Sequence, residues 1–236
     1  MASVFDLFAG TYVTIYARAA DPQGAEFWAN KLGFSSLSAA SLGQATIEQA
    51  NQLGKQFYAV SKLAFDTKYP TSMIDAAFID NVYKNLGGLA ADPEGAAFWG
   101  NRLNALEATH PQQEARSMVA AEIAYVLQTF DPNATGDAKV RSETYKNKLA
   151  ISHATATTDN ASFNPKTQSV NDPAYKGLTD VLNGVDNTNA TREIALAQVG
   201  AANKANDPSL MVGVPETFTL TEAIALAEAG KLPESY

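Results

Sequence analysis

Chemistry in a protein needs the right side chains in reach of one another, and this sequence offers few such sets. The chain has two histidines and no cysteine. Thiolate catalysis, disulfides, zinc ribbons and iron–sulfur clusters are therefore excluded by composition. His110 precedes Pro111 at an expected helix start, and His153 follows an expected long helix, where a cation favours the C-terminal end. Both read as capping or solvated histidines. No zincin, nucleophile-elbow, phosphate-loop or dinucleotide pattern occurs. The 25 acidic residues set no particular pair of carboxylates across a cleft for glycoside hydrolysis, so the reading is not an enzyme.

Binding is better served than catalysis. The densest basic stretch is Lys139, Arg141, Lys146 and Lys148 with Tyr145 among them, on a helix expected from about 132 to 151. Those five residues are the candidate glycan contacts, because cations and an aromatic ring suit an anionic sugar or phosphate; a solvated mixed-charge face is the plainer reading. Tyr58, Tyr69, Tyr125 and Tyr175 are further rings that could meet sugar, with Tyr58 and Tyr175 close to apolar stripes. The Asp- and Asn-rich stretches 131–137 and 180–189 could serve calcium but lack EF-hand spacing, and helix capping explains them as well. The expectation is no metal site and no cofactor within this chain. The net charge of −8 opposes nucleic acid, and no window approaches the ~18 apolar residues of a membrane span.

The elements that position these residues read as helices. Val4, Phe5, Phe8, Tyr12, Ile15 and Tyr16 recur at helical spacing, as do Ala50, Leu53, Phe57, Val60 and Ala64. The same holds for Val119, Ile123, Val126, Leu127 and Phe130, for Tyr175, Leu178, Val181, Leu182 and Val185, and for Ala190, Ile194, Ala197 and Ala201. Five Asp-Pro pairs, at 21, 92, 131, 172 and 207, supply an N-cap acceptor followed by a residue that needs no donor. Thr109 to Gln112 and Thr219 to Glu222 have capping-box spacing. The best strand signal is Met211 to Val214. The expected fold is all-α, a multi-helix antiparallel assembly of nine or ten helices.

One repeat organises the chain. Residues 21–32 and 92–103 match at eight of twelve positions, offset by 71. The shared residues include Asp21, Pro22, Gly24, Phe27 and Trp28 in the first copy and Asp92, Pro93, Gly95, Phe98 and Trp99 in the second. Each copy follows an aromatic helix, so the unit is a duplicated helix–turn–helix. Aspartate should cap and glycine should admit the preceding helix. Phe-Trp, with leucine four beyond the tryptophan, should form a buried stripe, which makes both tryptophans core residues. The expected organisation is a helical lobe over 1–153, a polar linker over 154–171, a smaller lobe over 172–206, and a lead-in over 207–236 to a region beyond this chain. The start has no basic n-region and no long apolar run, so any export signal is expected elsewhere.

The Asp-Pro-x-Gly-x-x-x-Trp motif after an aromatic helix resembles the helical repeat of large exported bacterial proteins, including surface-layer proteins and calcium-repeat adhesins. The wider arrangement, acidic, cysteine-free, leaderless and rich in alanine and threonine, resembles the N-terminal region of type I-secreted surface-layer proteins of the Caulobacter kind. The resemblance implies a structural, secreted cell-surface protein on the outer face of a Gram-negative outer membrane. It implies an anchor that binds the O-polysaccharide of lipopolysaccharide, with copies of itself as lattice partners and calcium mainly in the following repeat region. No glycan-contact residue is implied position by position. The alternative is an assembly module, for a lattice or an adhesin, that binds protein and no glycan.

Overall fold

The computed structural model describes residues 3–128, 133–158, 163, 165 and 172–206, with side chains up to residue 200. Among these residues the fold is all-α, with ten helices and no strand. They are α1 (Val4–Tyr16), α2 (Pro22–Lys31), α3 (Leu37–Leu42), α4 (Ile47–Lys68), α5 (Asp75–Gly87), α6 (Pro93–Glu107), α7 (Gln112–Leu127), α8 (Gly136–Ala156), α9 (Pro173–Asp180) and α10 (Asn189–Asn206). Among the described residues no helix is long and apolar enough to cross a membrane.

The 71-residue offset holds for whole elements. Shifted by 71, the bounds of α1 become those of α5, and α2 and α6 both open on the proline after the repeated aspartate. Even the stops correspond. Gly88 ends α5 in the left-handed region at φ 76°, and Ala17, 71 positions earlier, ends α1 there at φ 51°. Glycine meets no steric penalty in that conformation, whereas alanine does.

The starts follow local chemistry. The Asp21, Asp92 and Asp172 side chains accept from Gly24, Gly95 and Ala174 backbone N–H groups, and each is followed by proline in the first turn. Asp131-Pro132, Asp207-Pro208, Phe130, Met211 to Val214 and the box at Thr219 lie outside the described residues. The box expected at Thr109 does not form: Pro111 takes the cap position of α7, and the Thr109 hydroxyl donates back to the Leu106 carbonyl. A capping box does form at Thr46 and Gln49, opening α4.

One continuous cluster of buried apolar side chains draws on α1 through α10. α1 lies at its centre, with every residue from Leu7 to Tyr16 buried, and packs against α4, α5, α7 and α8. Three apolar stripes are corrected. α4 turns non-helical at Ser61, whose hydroxyl shares a hydrogen bond with Tyr16. The break re-phases the helix, so the buried face runs Phe57, Ser61, Phe65 and leaves Val60 exposed. In α7, Val126 faces out; in α10 the buried residues are Ala195 and Val199 rather than Ala190 and Ala197.

The segments expected as two lobes share that core. The Ala19 N–H donates to the Leu178 carbonyl of α9 at 2.9 Å, and Asn147 Nδ2 donates to the Asp186 and Thr188 carbonyls before α10 at 2.8 and 2.9 Å. Leu178, Val181, Leu182 and Val185 are buried with the repeats. In the expected linker, α8 continues to Ala156 and Phe163 is buried.

Candidate functional site

Helix α8 carries the five residues expected to face a glycan, and the structure does not bring them to one surface. Tyr145 is fully buried, with its hydroxyl donating to the Ala124 carbonyl at 3.1 Å and lying where a side chain on Gly10 would stand. Arg141 is buried against α5 at Gly87 and pairs with Asp92 at 2.6 Å, while also donating to the Ala90 carbonyl. Lys148 donates to the Asn85 carbonyl at 2.7 Å. Lys139 and Lys146 alone are exposed, and Lys139 sits 3.8 Å from Glu143. The physical reason is that α8 is covered on several sides. It packs on α1, α2, α5 and α10, so its polar residues satisfy backbone groups of neighbours instead of meeting solvent.

The repeat motif builds a buried joint and an exposed ring. In the second copy, Trp99 Nε1 donates to the Tyr83 hydroxyl at 2.9 Å, and that hydroxyl lies 2.9 Å from where a Cβ on Gly95 would stand. In the first copy Trp28 hydrogen-bonds Tyr12, whose hydroxyl occupies the space over Gly24. Trp28 is 2% exposed and stacks on Phe57 at 4.1 Å; Trp99 is 4% exposed. The expectation that both tryptophans are core therefore holds, but the phenylalanines beside them are not part of the stripe. Phe27 is 47% exposed and Phe98 61%. Adjacent helical residues point about 100° apart, so a helix that buries Ala25, Trp28 and Ala29 turns Phe27 outward. Each phenylalanine rests edge-on against its tryptophan, at 5.0 and 4.9 Å between ring centroids. Equivalent positions of the duplication thus hold two outward aromatic rings, each braced from below. This pair is the candidate contact surface.

Two buried arginines that sequence reading passed over hold the frame. Arg18 is fully buried, pairs with Asp21 at 2.9 Å, and its guanidinium lies over the rings of Tyr12, Tyr16 and Tyr175 at 4.7, 5.5 and 4.8 Å. Its only sequence signal is the three-residue spacing to a capping aspartate. Arg116 of α7 gathers the α4–α5 connection, reaching Asp75 at 2.6 Å and the Pro70 and Met73 carbonyls. Arg102 pairs with the buried Glu122. Of the expected tyrosines, Tyr69 and Tyr175 are buried, and Tyr58 and Tyr125 are half-buried against the core.

The two histidines lie against protein partners. His110 Nδ1 lies 3.0 Å from Glu114, which Lys55 also meets, and the exposed His153 sets its ring 4.5 Å from Phe5 in the last turn of α8. In the described part of the stretches weighed for calcium, Asp180 pairs with Lys176 and Asp186 accepts from Thr188 and Thr191. Among the described residues no group of three or more acidic or histidine side chains is placed to hold a metal ion.

Burial pushes the Lys148 ammonium down to about 8, and burial together with the Lys148 charge pushes Lys68 down to about 8. In the unfolded chain both titrate near ~10.4. From about pH 8 to about pH 10 the unfolded chain therefore binds more protons than the folded one, and stability rises with pH. Above ~10 the sign reverses, because unfolded tyrosines ionise while burial holds Tyr12, Tyr69 and Tyr145 protonated. The urea midpoint should climb from pH 7.5 to a maximum near ~9.5 and then fall. A steady decline from pH 7.5 would contradict this.

Comparison of the chain with models of protein families, with curated proteins and with solved structures finds no match.

Proposed function

We propose that this chain is a non-catalytic attachment module of an exported surface-layer protein, holding it to the outer face of a Gram-negative outer membrane through the O-polysaccharide of lipopolysaccharide. The observation that supports the reading is the pair Phe27 and Phe98, large rings held outward at equivalent positions of a rigid duplicated frame. A flat apolar ring stacks on the C–H face of a sugar, and two such rings on one chain can engage two units of a repeating polymer. Weak contacts summed in this way hold a surface tightly once many copies stand side by side. Export by a type I route and calcium in a following repeat region belong to the same proposal.

Binding of the chain to lipopolysaccharide with and without O-polysaccharide tests it. Binding should require the O-polysaccharide, and F27A and F98A should each weaken it about tenfold, ~1.4 kcal/mol. Thermal stability should stay within ~1 kcal/mol for both variants, since the rings are exposed. Equal binding to lipopolysaccharide that lacks O-polysaccharide would remove the reading.

A second reading has its own observation. Leu42 is 90% exposed, and Leu63, Ile74 and Val60 are also largely exposed. A contiguous patch of such side chains would mark a contact with protein. Self-association in sedimentation, without glycan and weakened by charged residues at Leu42 and Leu63, would favour an assembly module of a lattice or adhesin.

A further inference from the structure

Outside the motif the two copies of the repeat have drifted far apart. Across the thirteen positions of α1 and α5 only Tyr12 and Tyr83 coincide. Within the motif, six of the eight shared residues have a duty inside the fold. The aspartates cap, the prolines open the helices, the glycines lie under the tyrosine hydroxyls, and the tryptophans donate to those hydroxyls. Ala25 and Leu103 are buried, with their counterparts Ala96 and Leu32 partly so.

Two shared residues have no such duty. Phe27 and Asn30 in the first copy, and Phe98 and Asn101 in the second, are all exposed. Among the described residues neither asparagine side chain makes a hydrogen bond. Residues three apart on a helix are neighbours on one face, with about 5–6 Å between their Cβ atoms, so each ring stands beside a free amide. The charges around them differ between the copies. Gln23 in the first is Glu94 in the second, and Glu26 is Ala97. Arg102 is held by the buried Glu122, while its counterpart Lys31 lies 5.8 Å from the centroid of the Phe27 ring. What both copies present alike is an outward ring and an uncharged amide.

We propose that each phenylalanine–asparagine pair is a subsite for one neutral, hydroxyl-bearing sugar unit, and that Asn30 and Asn101 set its orientation and specificity. This rests on the glycan-attachment reading above. The ring covers the C–H face of the sugar, and the amide, with donors and an acceptor, matches a hydroxyl that both gives and takes a hydrogen bond. The surroundings suit a sugar better than a protein. The positions three and four away on either side of each phenylalanine hold only glycine, amide or charged residues, whereas the centre of a protein interface is a continuous apolar patch. Like subsites in both copies take the same unit twice, which a polysaccharide with a repeating unit provides.

The test is binding of the full 236-residue chain to lipopolysaccharide that carries O-polysaccharide. N30A and N101A should each weaken it about fivefold, and the double variant more than either alone. Their melting temperatures should stay within ~2 °C of the parent, because neither amide has a partner in the fold. Affinity should change less than about twofold between ~0.05 and ~0.5 M NaCl, as a neutral ligand requires. Weakened binding in F27A and F98A with none in N30A and N101A overturns this proposal and leaves the ring reading standing. Equal binding to lipopolysaccharide that lacks O-polysaccharide overturns both. A steep fall in affinity with salt assigns the subsites a charged unit, and loss of self-association in N30A assigns the face to a second copy of the chain; either result overturns the proposal.

Discussion

Replacing Gly54 with alanine should destabilise the protein by at least ~3 kcal/mol, a fall of roughly 6–12 °C in Tm, measured by calorimetry. Gly54 lies where α4 crosses α7. A Cβ there would stand 2.5 Å from the Ser117 carbonyl oxygen and 2.7 Å from the Met118 Cα. Both are backbone atoms, so no side chain can swing aside, and the two helices must part. The bond from the Ser117 hydroxyl to the Gly54 carbonyl, 2.6 Å long, would be strained with them. Gly100 provides the contrast. It lies within α6 with no atom within 4 Å of an added Cβ, and Gly100→Ala should stabilise by ~0.5–1 kcal/mol through helix propensity. Equal effects at the two glycines would mean that α4 and α7 do not cross as described.

Arg18→Met should cost ~3–5 kcal/mol. The change leaves the Asp21 carboxylate buried with only its capping bond to Gly24, and withdraws a cation from three tyrosine rings. It also loosens α9, because Tyr175 belongs to that helix. The duplication supplies the control. In the second copy the capping aspartate pairs with Arg141, but Asp92 is half exposed, and Arg141→Gln should cost only ~1 kcal/mol. Denaturant titration of both variants measures the difference; equal losses would show that burial does not set the strength of these pairs.

What the sequence made legible was local. Asp-Pro starts, the aromatic face of α1 and the burial of Trp28 and Trp99 each depend on residues within a few positions of one another. What stayed hidden depends on distant partners. Nothing near Ser61 announces the break that turns Val60 outward, since Tyr16 on another helix holds it. Phe27 and Phe98 adjoin tryptophan in the sequence, but on their helices they stand about 100° around from it and face outward. The site residues on α8 misled most. Charged and polar side chains every few positions read as a solvated surface, and only the packing of α1, α5 and α10 around them shows that Arg141, Tyr145 and Lys148 work inward.

The manner in which α8 grips the first repeat bears on synthesis. Ser152 accepts the Ala20 N–H at 2.8 Å, and the Thr155 hydroxyl donates to the Ala20 carbonyl at 2.8 Å, bonds that span 132 and 135 residues. The residues that lock the earliest helix pair are thus among the later ones to leave the ribosome. A nascent chain that has emerged only through α7 holds a first repeat whose connecting turn is still open to water, and it closes when the last turns of α8 arrive.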